Sequence, residues 1–288
     1  MSRHPYLQRL QGSAVWHDAC HMSLWVAQMW GHRRGNIMRN LKTLVARAVV
    51  TSALAALLLP QLSLAQGGPG FLFKSPVVSV GIRTGYAVPS ARSDLFDFAR
   101  EQLTIERSDF NGGFFGFDVG VRLQERLDLV LGVGHARTET ASEFRDWVDL
   151  DDLPIEQTTT FWTTPVTASL KYYLTDRGRS VGRFAWVPAK ISPYVGAGGG
   201  MIWYSFLQQG DFVDFETLDI FFDRFVSDGV TGQAHGFAGV ELSINPKMFV
   251  TAEGRYSWAR GVPGRDFIDF DNVDLVGVQF TLGIAARF

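Results

Sequence analysis

The side chains able to do chemistry fall into four groups along this 288-residue chain. The first is a series of charges, Arg83, Asp118, Arg122, Asp128, Lys171, Glu241, Glu253, Arg255 and Arg287, each set in an otherwise apolar or glycine-rich stretch. Charges so placed can line a proton path or a substrate channel, or they can neutralise one another in a confined interior. Five basic against four acidic residues favours mutual neutralisation, because an unpaired buried charge costs several kcal/mol. The second group is His135 and His235. A lipid-cleaving or acyl-transferring site would pair one of them with a serine, yet neither has a serine within two residues and no Gly-x-Ser-x-Gly elbow occurs. A triad assembled across loops stays open as an alternative.

Two acidic clusters form the third group: Asp149, Asp151 and Asp152, then Asp211, Asp214, Glu216, Asp219 and Asp223. Hard cations prefer carboxylates, but this spacing matches no EF-hand loop. Solvated loop charge is the reading adopted, and no metal or cofactor is expected. The fourth group, Trp16, His17, Asp18, Cys20 and His21, mixes metal-ligating types near the start. It falls in a segment expected to be absent from the mature protein.

That expectation comes from Arg39, Lys42 and Arg47, which precede the mostly apolar run Ala48 to Leu59 and the small-residue end Ser63-Leu64-Ala65. This is the order of a secretory signal peptide, with Gln66 as the new N-terminus. No cysteine follows the apolar run, so a lipoprotein is not expected. The chain divides into 1–37, an upstream extension from an over-extended start; 38–65, the signal; 66–75, a short N-terminal segment; and 76–288, the fold. Residues 1–65 hold 7 of the 27 Lys and Arg and 1 of the 29 Asp and Glu, which leaves 20 against 28 and a formal charge of -8. An acidic mature chain gives no reason to expect a nucleic-acid partner.

The elements that must position the charges have a period of two. Val78, Val80, Ile82, Tyr86 and Val88 alternate with Ser79, Gly81, Arg83 and Gly85; Phe115, Phe117, Val119, Val121 and Leu123 alternate with Gly116, Asp118, Gly120 and Arg122. The same scheme predicts strands over 127–134, 162–174, 195–203, 238–244, 250–258 and 276–288. Polar segments at 89–112, 138–157, 205–232 and 260–273 are expected as loops on one side, with tight links after the second and sixth strands on the other. The 175–190 link fits neither length. One of these loops carries Phe212, Phe215, Phe221, Phe222 and Phe225, an apolar content that suggests packing over a mouth or contact with a partner or hydrophobic ligand.

A soluble sandwich and a membrane barrel share such alternation, and the faces separate them. The apolar faces carry no charge through the strand centres, while the opposite faces are mostly glycine, as a narrow filled barrel requires. No run of 18 apolar residues exists to make a membrane helix. A mean hydropathy of +0.04 is therefore what alternation averages to. Tyr86, Trp162, Trp203, Tyr256 and Trp258 fall at one set of strand ends, and Tyr172, Tyr194 and Phe288 at the other, as two interfacial girdles. The fold class is all-β: an up-and-down antiparallel transmembrane β-barrel of about eight strands.

Lys171-Tyr172-Tyr173-Leu174 closing a strand, Pro193-Tyr194-Val195-Gly196 opening one, and the terminal alternation Phe280, Leu282, Ile284, Phe288 carry a resemblance. Over roughly Val77 to Phe288 the chain resembles the eight-stranded outer-membrane proteins related to outer-membrane proteins A, X and W. The resemblance implies an outer-membrane location, contact with outer-membrane lipids and lipopolysaccharide, and reading of the terminal motif by the barrel-assembly machinery. It implies little about activity. The expected role is structural or surface-interacting without catalysis; the alternatives are uptake of small hydrophobic molecules and a lipid-modifying enzyme. Intact-mass measurement of protein extracted from outer membranes should give a chain starting at Gln66 without cysteine. A species retaining Cys20 would contradict the assigned start.

Overall fold

The computed structural model describes residues 70–149, 151–214, 217–267 and 269–288. The expected signal peptide, the extension before it and the first residues of the short N-terminal segment lie outside them, as do Phe215 and Glu216. Among the described residues eleven strands and one α-helix follow in chain order. They are β1 (Val78–Pro89), α1 (Asp94–Gln102), β2 (Gly112–Gln124), β3 (Leu127–Val148) and β4 (Pro154–Tyr173). After these come β5 (Gly178–Val181), β6 (Ala185–Pro188), β7 (Ile191–Val213), β8 (Ile220–Ser243), β9 (Met248–Gly261), β10 (Val273–Asp274) and β11 (Gly277–Arg287).

Eight of these close into a ring in the order β1, β2, β3, β4, β7, β8, β9, β11. Every neighbouring pair is antiparallel, and β11 returns to β1 in a register running from Ser79 opposite Arg287 to Pro89 opposite Gly277. Closure leaves no unpaired edge along this shared length. That matters most where no water is present to satisfy backbone groups. No helix among the described residues is long and apolar enough to cross a membrane.

The two faces divide as the alternation requires. Ile82, Phe115, Leu131, Leu170, Met201, Trp258, Phe280 and Leu282 all point outward and are exposed, Leu282 at 63%. A soluble monomer rarely shows so continuous an apolar surface, whereas lipid accepts it. Inward, the glycines make room: a Cβ on Gly196 would stand 2.2 Å from the Phe237 ring, and one on Gly132 would stand 2.5 Å from Asp118 Oδ1. Tyr86, Trp162, Trp203, Tyr256 and Trp258 lie at the outer ends of the belt, and Tyr172 and Phe288 at the end holding the terminus. Tyr194 does not join that girdle. It is 2% exposed inside the ring, because it sits one residue from outward-facing Val195.

Two segments expected as loops, 138–157 and 205–232, are mostly strand. β3 has 22 residues and β8 has 24, where crossing the bilayer takes about 9–11. Beyond the belt β3 and β4 are rich in Thr and Ser, which keep sheet pairing in water without the apolar period that marks a buried strand, while β7 and β8 carry Phe206, Phe212 and Phe225 on their inner face. The 89–112 segment holds α1, and the 175–190 link folds as the β5–β6 hairpin. Leu72 pairs with Trp186 of that hairpin through two backbone bonds of 2.7 and 2.9 Å.

Arginine at Val119 or Leu131, both near the middle of the outward face, should cost about 2–4 kcal/mol in lipid. Phe222→Arg, above the belt, should cost less than about 0.5 kcal/mol. Equilibrium unfolding in bilayers measures all three, and equal costs would refute the assigned belt.

Candidate functional site

The interior is organised as two charged clusters beneath an apolar plug. In the first, Lys171 on β4 meets Glu241 on β8 at 2.5 Å. Tyr173 donates to Glu241 at 2.6 Å and to Asp128 at 3.3 Å. Asp128 is paired with Arg177 at 2.6 Å. The Lys171 ammonium also lies 3.8 Å from the Tyr194 ring centroid. In the second cluster Glu253 on β9 accepts from Arg255 at 2.9 and 3.2 Å and from Tyr194 at 3.1 Å. Arg83 reaches Glu253 at 3.4 Å and Asp118 at 2.7 Å. Strand alternation places the groups carried on the barrel strands inward, and glycine makes room for three of them: Arg83 faces Gly283 and Gly116, Lys171 faces Gly196, and Glu253 faces Gly239.

Of the nine charges expected to form a lumen network, Arg83, Asp118, Asp128, Lys171, Glu241, Glu253 and Arg255 do so. Arg122 does not: at the rim its Nε donates to the Gln124 carbonyl at 3.4 Å, since β2 has already reached the end of the ring there. Arg287 lies inward but donates to the Ser243 hydroxyl at 3.0 Å rather than to a carboxylate. Sequence reasoning missed Arg177, because it comes from the 175–190 link and not from a barrel strand.

Above the clusters the mouth is closed by the segment after β1. α1 buries Leu95, Phe96 and Ala99, and Leu103, Ile105 and Phe110 follow them inward. Phe96 packs edge-on against Phe110, Phe161 and Phe206 at centroid separations of 4.8, 5.4 and 5.6 Å. Phe206 then meets Phe267 at 6.0 Å. Asp274 on β10 ties the plug down: it accepts from the Ser90 hydroxyl and from the Arg92 amide, while its own amide donates to Ser93 Oγ at 3.2 Å. Arg145 on β3 holds the far side through the carbonyls of Arg100 and Ile105, at 3.1 and 3.4 Å. Below the plug lies a cavity of about 90 Å³, with Phe110, Phe114, Phe161 and Ile202 above Arg83 and Arg255. A second, of about 60 Å³, lies among Asp118, Lys171, Tyr194 and Glu253.

The expected aromatic contact surface divides. Phe212 and Phe225 pack edge-on at 4.6 Å, Phe212 stacks on Phe221 at 6.1 Å, and Phe225 approaches Phe267 at 6.4 Å. These rings extend the plug along the inner face of the β7–β8 hairpin. Phe222 points the other way and is 67% exposed, and Phe221, near the hairpin tip, is also exposed at 41%. The acidic clusters serve their own turns: Asp149 Oδ1 accepts from the amides of Asp151 and Leu153, both at 2.8 Å. Asp214 Oδ1 accepts from the Thr217 amide at 3.3 Å. Among the described residues no group of three His, Cys, Asp or Glu is placed to hold a metal ion.

The histidines separate as well. His135 lies on the outer face, where its Nδ1 is 2.9 Å from Thr164 Oγ1 and its ring is 6.0 Å from that of Trp162. His235 is inside, with Nε2 at 2.8 Å from Ser169 Oγ. That is a nucleophile–base distance, but His235 Nδ1 has no partner to orient the ring and the pair is buried.

No family model matches the chain, and no curated protein matches it. Among solved structures it is similar to Neisserial surface protein A, with a TM-score of 0.39 and 12% identity over 73% of this chain and 97% of that one. The attachment invasion locus protein Ail of Yersinia pestis gives 0.36 and 13%, covering 77% and 100%. Outer membrane protein W of E. coli gives 0.33 and 19%, covering 75% and 100%. The chain is a small membrane-spanning β-barrel. The closed register and the lipid-facing belt carry that assignment by themselves; at these identities and TM-scores the likenesses add no argument to it and say nothing of activity.

Glu241→Gln would leave Lys171 buried beside a neutral amide. Breaking one partner of a buried pair costs about 3–5 kcal/mol, so this barrel should unfold at clearly lower urea in vesicles while keeping its strand content. Wild-type stability for Glu241→Gln would mean that the cluster is hydrated and carries no weight.

Proposed function

We propose that this outer-membrane barrel is a sealed, non-catalytic scaffold that holds the β3–β4 and β7–β8 hairpins at the cell surface for contact with an extracellular partner. The observation that carries the reading is the length of those strands. β7 pairs with β8 without interruption to Val213 opposite Ile220, ten residues past the belt aromatic Trp203, or ~33 Å of strand at ~3.3 Å per residue. β3 and β4 stay paired from Arg137 opposite Trp162 out to Glu143 opposite Glu156. Membrane spanning needs none of this length.

The interior supports the same reading. A solute crossing the barrel would have to displace both the aromatic plug and two neutralised charge clusters. Uptake of hydrophobic molecules through the lumen is therefore disfavoured. A lipid-modifying site at the outer rim is disfavoured too, because Ser169 and His235 are enclosed and no acid orients the imidazole.

The test combines flux with truncation. Wild-type protein should give no steady conductance in planar bilayers and no sugar swelling in liposomes. A variant with 139–158 and 207–228 each replaced by a short turn should still assemble, yet cells carrying it should lose surface adhesion or autoaggregation relative to wild type. Steady wild-type flux, or a surface phenotype unchanged by truncation, would overturn the proposal.

A further inference from the structure

In the lumen clusters, each buried cation has a carboxylate: Arg83 has Asp118 and Glu253, Lys171 has Glu241, Arg177 has Asp128, and Arg255 has Glu253. Arg287 is the exception. It is 5% exposed, yet no carboxylate among the described residues comes within ion-pair distance. Its Nη2 donates to Ser243 Oγ, and its Nε has no partner. Its guanidinium carbon lies 4.3 Å from the Phe249 ring centroid and 5.8 Å from that of Trp186. Aromatic faces hold a guanidinium in place, but they do not cancel its charge.

Arg287 lines a vestibule of about 330 Å³ at the end of the barrel that holds the terminus. The β5–β6 hairpin forms one wall and supplies Arg179 and Trp186, while β2 supplies Arg122. Carboxylates share this wall, but most are already engaged: Asp128 by Arg177, Glu241 by Lys171, and Asp176 by Arg126 at 2.8 Å. What remains is Arg122, Arg179 and Arg287 against Glu125, which stands exposed beyond β2. The vestibule therefore offers a buried, aromatic-braced guanidinium, two further arginines and an excess of positive charge. A planar guanidinium fork matches the two oxygens of a carboxylate or phosphate.

We propose that this periplasm-facing vestibule binds a small solute through its oxyanion, a phosphate or carboxylate group. Arg287 holds the anion, Arg122 and Arg179 draw it in, and Trp186 and Phe249 pack against its apolar part. The site is separate from the surface hairpins and independent of the role proposed for them.

The experiment follows the arginine Nε–Hε resonances of the ¹⁵N-labelled barrel in zwitterionic detergent micelles, titrated in one arm with inorganic phosphate and in the other with succinate, against sodium chloride at matched ionic strength. The Arg287 resonance should shift saturably with at least one of the two, and the arm that saturates identifies the head group. Arg287→Gln should abolish saturable binding seen at Arg122 and Arg179. Arg179→Gln, an exposed hairpin change that leaves the barrel strands untouched, should weaken it several-fold, and Arg260→Gln at the opposite end should not change it. If Arg287→Gln does not refold, the Arg179→Gln and Arg260→Gln comparison decides. Absence of saturation in both arms, shifts no different from chloride, or equal affinity in Arg179→Gln and Arg260→Gln would overturn the proposal.

Discussion

The whole structure depends on the pairing of β11 with β1. In hydrocarbon an unsatisfied backbone group costs several kcal/mol, so a sheet that enters lipid must close. Closure is secured from both ends: the Phe288 amide donates to the Val78 carbonyl at 2.8 Å, and the Ser90 amide donates to the Val276 carbonyl at 2.7 Å. Once eight strands close, the lumen is narrow, and the narrow lumen dictates its own contents. Glycine stands opposite Arg83, Lys171 and Glu253, and the charges of the two clusters meet in pairs. Arg83, Glu253 and Arg255 share one cluster because β1 and β9 both neighbour β11.

The same constraint explains what happens where the lipid stops. Above the belt the strands are free to leave the ring, and β3, β4, β7 and β8 continue as a sheet while β1, β2, β9 and β11 end. A sheet that parts from a ring exposes its inner face to water. Phe161, Phe206, Phe212 and Phe225 lie on that face, and the plug residues Phe96, Phe110 and Phe267 cover its lower part. The plug and the extended hairpins are thus one arrangement. The hairpins provide an apolar inner wall, and the segments after β1 and β9 fold inward to bury it.

Much of this was legible in the sequence, for a physical reason: a two-residue period with an uncharged face admits only one assignment of inside and outside. Ile82, Val119, Leu131 and Leu282 point outward, and Arg83, Asp118, Lys171, Glu241 and Glu253 inward, as their positions require. Tyr194 was misread by its type when its place beside Val195 already put it inside. The β3–β4 extension was silent because Thr158, Thr159 and Thr160 put polar side chains on both faces, and the phenylalanines of the β7–β8 extension read as loop content because acidic residues interrupt their period. α1 left a trace in Leu95, Phe96, Ala99 and Leu103, spaced for a helix after Ser93, but nine residues of helical period are easily lost among strands. Arg177 was hidden because it lies on a link outside the barrel strands, and Arg287 could not be set apart from the paired charges, since sequence shows which charges lie inside but not which ones meet.

The seam can be tested directly, because the described chain contains no cysteine to interfere. Ala87 and Gln279 face each other across β1 and β11, and cysteines at both positions should cross-link on mild oxidation of protein assembled in outer membranes. Cysteines at Ala87 and Thr281, displaced by one step along the same face, should cross-link far less. Equal cross-linking of the two pairs, or none at Ala87 and Gln279, would contradict a barrel closed in this register.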